Sequence, residues 1–315
     1  MEDISADLKN GGGLGSEISL EKLEKLALEV LQPVRFTLGL LNVVLDSVTD
    51  LLGRAVGSGA VRRHFHLLLS GLVLFGPALS LWGSKYSVFA NSNNYLYRKF
   101  LRSTWGWTCL LSGSFVLLLS LSARRPPSVS LRHLSRVGLA GLLLWGCRGV
   151  LTVLEDAAGT CFEPVTSDPQ SSSPLLLLHE DQTKASCLRA RLQWRGYEVS
   201  QDVLVLCFCC LLLVEELSVF GRHRSRSGSL QKAPGAPLRL VFLLCVVLLL
   251  AWMSLLLCLL TYFPKFPSQQ LGGALGYLGW RGLYQGWYRR GPGWTCPGLP
   301  EDGLPASADA RKPAQ

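Results

Sequence analysis

Residues 203–220 read VLVLCFCCLLLVEELSVF. The run has the length a helix needs to cross a bilayer core, roughly 17–25 residues. It carries two acids, Glu215 and Glu216, where hydrocarbon would otherwise surround them. A charged side chain near mid-bilayer costs about 2.5–3.5 kcal/mol on insertion scales, so such residues face a cavity or one another. Cys207, Cys209 and Cys210 in the same run read as small buried hydrophobes.

Outward from this run lie five more of comparable length. Residues 66–83, 105–123 and 137–155 precede it; 239–263, the most hydrophobic, and 271–288, weaker and rich in glycine and aromatics, follow. Six spans predict an all-α fold, a polytopic membrane helix bundle. Composition agrees: of 315 residues 49% are hydrophobic, the mean hydropathy is +0.29 and only 17% are charged, against about 25% in soluble domains. The net charge of +9 does not point to nucleic acid, because the basic residues sit in short loops between apolar runs. There they set orientation.

The loops 124–136 (Arg124, Arg125, Arg132, Arg136) and 221–238 (Arg222, Arg224, Arg226, Lys232) are the basic ones, so both are expected in the cytosol. Both termini follow them there, and the polar segment 156–200 faces the lumen. Residues 1–19 read as a disordered tail without a cleavable leader. Residues 20–56 have apolar positions at helical spacing, interrupted by acids and by Pro33, which should break the helix. They predict an amphipathic helix lying on the membrane, a short span over 34–48 being the alternative. The expected division is therefore 1–65, a cytosolic tail with an amphipathic helix; 66–288, a six-span membrane domain with its luminal loop at 156–200; and 289–315, a disordered cytosolic tail.

Few residues offer chemistry. Arg148, in the third span, is the expected partner of Glu215 or Glu216, either as a structural ion pair or as a polar pocket for a lipid head group, with Arg281 a third member. Cys161 and Cys187 fall in the luminal segment, where an oxidising compartment would let them pair, worth roughly 3 kcal/mol by chain entropy; two free thiols are the alternative. The five histidines, His64, His66, His133, His179 and His223, do not converge on one site in this topology. No nucleophile elbow, phosphate-binding loop or metal-ligand set is present, so no metal or cofactor is expected. Ser200 and Asp202 precede an apolar run as helix caps do.

Several motifs, taken in order, carry a resemblance. They are Trp105-Gly106-Trp107-Thr108-Cys109, Gly159-Thr160-Cys161-Phe162-Glu163-Pro164, Gln193-Trp194-Arg195-Gly196-Tyr197, Glu215-Glu216-Leu217-Ser218-Val219, Tyr262-Phe263-Pro264 and the aromatic run 280–288. Over roughly 54–288 they resemble the fat storage-inducing transmembrane family, its type 1 branch above all. The resemblance implies a six-span protein of the endoplasmic reticulum with a lipid-phosphatase-like arrangement. It also implies a role in lipid droplet formation and lipid storage, with diacylglycerol and triacylglycerol as partners. The type 2 branch is regarded as an acyl-CoA diphosphatase using two luminal histidines. At the matching positions this chain has Asp202 and Pro264. Proline has no titratable group, so the resemblance implies lipid binding without the reaction, the alternative being a lipid phosphatase with an altered site.

Overall fold

The computed structural model describes residues 14–81, 83, 91, 95–122, 126–164, 176–179, 184–196, 198–227, 235–290 and 297–300. The chain divides into two compact units, Met1–Leu51 and Leu52–Gln315.

The first unit is occupied by most of one helix, α1 (Leu14–Gly57), which ends in the second unit. Pro33 does not break it, contrary to expectation. Within Arg35–Gly57 the helix is long and apolar enough to cross a membrane, and Phe36, Leu40, Val43 and Leu51 are exposed. A surface of that kind suits lipid better than water. The tail expected over 1–19 already contains the start of this helix; residues 1–13 lie outside the described residues.

The second unit is built around α6 (Gln201–Ser227). Every side chain from Val203 to Phe220 is buried, on all faces of the helix. That is what an all-apolar helix requires of its neighbours. Here they are α2 (Gly59–Phe75, continued as a 3₁₀ turn Gly76–Leu81), α3 (Thr104–Ser122), α7 (Ala236–Tyr262) and α8 (Ser268–Trp280). The remaining long helix, α4 (Pro127–Ala158), packs on α3. Among the described residues six helices are long and apolar enough to span: Arg35–Gly57, Gly59–Leu81, Leu101–Ser122, Pro127–Ala158, Gln201–Arg222 and Ala236–Tyr262. The protein is a multi-pass membrane helix bundle.

The expected sixth span, 271–288, is not among those six. It is helical nonetheless, α8 running into a π-helical stretch Arg281–Trp287 and a 3₁₀ turn Tyr288–Arg290. Its glycines explain its weak hydropathy. A Cβ at Gly276 would lie 2.6 Å from the Leu204 carbonyl oxygen, and one at Gly272 would run into that of Ser200. Without a hydrophobic drive between helices in lipid, such close approach is what holds them together. Elsewhere the bundle is closed by aromatic packing, Phe220 stacking on Phe242 at 4.4 Å, and by a buried hydrogen bond from Trp252 to the Thr108 hydroxyl at 3.0 Å.

The segment after α4 forms a small cap. Strands β1 (Thr160–Pro164), β2 (Leu176–His179) and β3 (Gln193–Arg195) make an antiparallel sheet of order β2-β1-β3, with Cys161 opposite both His179 and Trp194. A short helix α5 (Lys184–Arg189) lies between β2 and β3, and Cys187 on it is bonded to Cys161, Cα–Cα 5.9 Å. Lys184 ties the cap to the end of α4, 2.6 Å from Glu155 and 3.6 Å from Asp156. The Glu155 hydrogen bond raises the Lys184 pKa above the ordinary lysine value.

Candidate functional site

The site grows from the junction of α6, α7 and α8 at the sheet end of the bundle. Ser200 caps α6, its hydroxyl accepting from Val203 N at 3.5 Å, and its own N–H donates to Ser268 O at 3.2 Å. Buried Gln269 fastens the turn after α7: its amide donates to Phe263 O at 2.9 Å and its oxygen accepts from Lys265 N at 3.2 Å. These bonds shape a cavity of about 240 Å³ lined by Tyr97, Asp202, Phe263, Lys265 and Gln269 among others. Asp202 lines it directly. Pro264 does not, but its two chain neighbours Phe263 and Lys265 do, so the cavity joins Asp202 to the turn that carries Pro264.

The electrostatics of this cavity are open. The charges of Arg148 and Lys265 reach Asp202, yet no ion pair closes between them among the described residues. Arg148 Nε is buried without a hydrogen-bond partner among the described residues. Lys265 lies 3.7 Å from Glu198. Burial, with Cys258 adding to it, pushes the Tyr97 hydroxyl up to about 12, so it stays a hydrogen-bond donor at neutral pH. Among the described residues no histidine lines the cavity; its titratable side chains are Asp202, Lys265 and Tyr97.

The pairing expected between Arg148 and the α6 acids is corrected. Arg62 Nε donates to both Glu215 carboxylate oxygens at 2.9 and 3.0 Å, and its Nη2 makes a further contact with Glu215 Oε1. Glu216 accepts from Arg136 Nη2 at 3.1 Å and from the Tyr284 hydroxyl at 2.8 Å. Arg136 also donates to His133 Nδ1 at 2.5 Å, and Tyr288 donates to the Arg136 carbonyl at 3.3 Å. Arg136 is 1% exposed and Glu216 2%, so this layer is sealed. Depth is the reason for the difference. Arg148 stands about 18 Å along α4 from Arg136, near the level of Cys209 and Asp202. Arg281, expected as a third member, is exposed and donates to the Tyr277 hydroxyl at 3.1 Å.

Arg62, Arg136, Tyr284 and Tyr288 were not singled out by the sequence as partners. Arg62 and Arg136 read as loop and tail cations, but α2 begins at Gly59 and α4 at Pro127, which puts both inside helices. The boundary expected at residue 65 falls inside α2 for the same reason. The signal was available: two acids in one buried run demand two cations at the same depth.

Two clefts open on the flanks of the bundle. One, about 810 Å³, is lined among the described residues by apolar and small side chains of α4, α6 and α8 and by Val199 before α6, with Leu142, Val150, Leu154, Leu204 and Leu278 among them. The other, about 290 Å³, lies between α2 and α8.

No family model matches the sequence, and no solved structure matches it. Curated relatives do. The chain is 56% identical over 271 residues to fat storage-inducing transmembrane protein 1 of Danio rerio, covering 84% of this chain and 92% of the relative. It is 40% identical over 304 residues to the Homo sapiens protein of that name, covering 96% and 97%. To acyl-coenzyme A diphosphatase FITM2 of Xenopus tropicalis it is 29% identical over 266 residues, covering 84% and 95%. An apolar bundle with the family's motifs in order and relatives matched over nearly their whole length leave one assignment: the chain belongs to the fat storage-inducing transmembrane family.

Proposed function

We propose that this chain is a multi-pass protein of the endoplasmic reticulum membrane that promotes lipid droplet formation by binding and partitioning diacylglycerol and triacylglycerol, without catalysing a reaction. The observation that carries it is the cavity at the sheet end. Asp202 and the neighbours of Pro264 line one space with no histidine among the described residues, so a histidine-dependent phosphoryl transfer there lacks its acid and base. The wholly apolar 810 Å³ cleft supports the lipid half of the proposal, since it offers hydrocarbon contacts and nothing that binds charge. The basic residues beside the opposite ends of α4 and α6 argue for that face in the cytosol and the disulfide-bonded cap in the lumen. Both termini are then cytosolic, with 268–290 taken as the sixth crossing and Arg35–Gly57, long and apolar enough to cross, lying along the membrane.

The test is hydrolysis of acyl-CoA by the purified full chain in liposomes, beside saturable binding of triacylglycerol and diacylglycerol. Binding above that of an unrelated six-span protein, with no hydrolysis above background, is the expected outcome. A second reading, a lipid phosphatase with altered chemistry, draws on Asp202 lying within reach of two cations. Hydrolysis that Asp202→Ala abolishes would establish it; equal activity in both proteins would remove Asp202 from any mechanism.

A further inference from the structure

The smaller flank cleft, about 290 Å³, differs in kind from the larger one. Its α2 wall carries His66 and Ser70, its α8 wall Gln270 and Tyr277, and Cys207 of α6 closes the back. Among the described residues no Asp, Glu, Lys or Arg lines it. The imidazole of His66 stacks on Tyr277, ring centroids 5.7 Å apart. Tyr277 already accepts a hydrogen bond from Arg281. Gln270 Nε2 is buried and has no hydrogen-bond partner among the described residues. An amide left so in a low-dielectric place costs about 1–3 kcal/mol.

The cleft opens sideways. Ser70, Leu74 and Ala274 are exposed at its mouth, while Val73, Cys207 and Gly273 are buried behind them. Its α2 residues all lie inside the membrane-long helix Gly59–Leu81, whose outer face shows Leu67, Leu68 and Leu74. A sideways mouth on an apolar helix face admits lipid from the bilayer.

We propose that this cleft binds the uncharged glycerol core of a glyceride, whose ester and hydroxyl oxygens meet Gln270, Ser70 and His66 while its chains remain outside along α2. This rests on the reading of the chain as a neutral-lipid protein and gives it a head-group site. The lining decides the class. An orphan donor calls for an acceptor oxygen, which hydrocarbons lack, and with Arg281 held on the Tyr277 hydroxyl no lysine or arginine among the described residues lines the cleft to compensate a phosphate. Size agrees: at ~30 Å³ per water-sized group the volume takes about ten non-hydrogen atoms, the count of a glycerol bearing two ester carbonyls.

The experiment uses the full chain in phosphatidylcholine vesicles with a photoactivatable diacylglycerol, and maps the labelled peptides by mass spectrometry. Labelling is expected on 66–74 and 270–277, competed by dioleoylglycerol and not by squalene or phosphatidic acid. Gln270→Leu removes the orphan donor and lowers this labelling about fivefold, the worth of one neutral hydrogen bond. Ala274→Phe, which fills the exposed mouth and leaves every polar group of the lining in place, lowers it as much. Labelling confined to 142–158, no change in either variant, or equal competition by phosphatidic acid overturns this site and leaves the neutral-lipid reading standing. Labelling that dioleoylglycerol competes nowhere in the chain overturns both.

Discussion

α6 carries acids at two depths, and the bundle treats them in opposite ways. At the inner layer Glu215 and Glu216 are answered by Arg62, Arg136 and Tyr284, with His133 and Tyr288 completing the Arg136 bonds. At the sheet end, about 20 Å away along the helix, Asp202 is exposed and faces Arg148 and Lys265 with no ion pair closed among the described residues. A buried carboxylate survives only when its oxygens are occupied. One near a mouth keeps its solvent and is free to exchange partners. The first layer therefore reads as a lock between α2, α4, α6 and the 281–287 stretch, and the second as the place where a ligand would be met.

The largest effect should come from breaking the lock. Glu216→Leu strips the partner from buried Arg136 and from the Tyr284 hydroxyl, and stability should fall by ~3–5 kcal/mol. Thermal unfolding in detergent reads it. Adding Arg136→Met to the same protein should recover most of the loss, since a buried pair replaced by apolar groups is often neutral. A single variant that melts like the wild type would show that the inner layer locks nothing. Next in size is Cys187→Ser, which opens a bridge of sequence separation 26 and should loosen the cap by about 3 kcal/mol. Limited proteolysis should then cut within 159–195 while the helices stay protected; cleavage spread through the helices would mean that the cap also holds the bundle.

The same contrast explains what the sequence made legible. Apolar runs of spanning length located α2, α3, α4, α6 and α7, because bilayer thickness leaves a long unbroken signature. Arg35–Gly57 was harder, its apolar positions being interrupted by acids, and 268–290 harder still, its hydropathy diluted by the glycines that let it lie against α6. Asp202 and Pro264 were visible because they stand in motifs; Asp202 lines the cavity at the sheet end, and so do the chain neighbours of Pro264. The partners of Glu215 and Glu216 were not, because Arg62 and Arg136 lie near helix starts where a cation is ordinarily a loop residue. Pro127 at the start of α4 could have moved that boundary, since proline suits the first turn of a helix.

Asp202→Ala is the counterpart of Glu216→Leu and should change stability by no more than ~0.5 kcal/mol in the same thermal assay, as exposed positions usually do. A large loss would mean that Arg148 depends on Asp202 as Arg136 does on Glu216, and the two layers would cease to differ.

The smallest expected effect belongs to Lys184, the tie between cap and α4. Its side chain is 35% exposed, so its bond to Glu155 contributes only a few tenths of a kcal/mol. The sign with pH follows from the raised pKa. The folded protein holds the lysine proton more tightly than the unfolded chain, so the contribution is whole below the ordinary lysine value of about 10.4 and is lost as pH rises through the higher folded value. Lys184→Met should therefore lower the thermal midpoint of the cap by the same small amount at pH 6 and pH 9, and wild type and variant should converge above ~10.4. A gap that widens toward alkaline pH would mean that the lysine is destabilised in place, and that the cap is held to α4 by the packing of Trp194 over Gly159 instead.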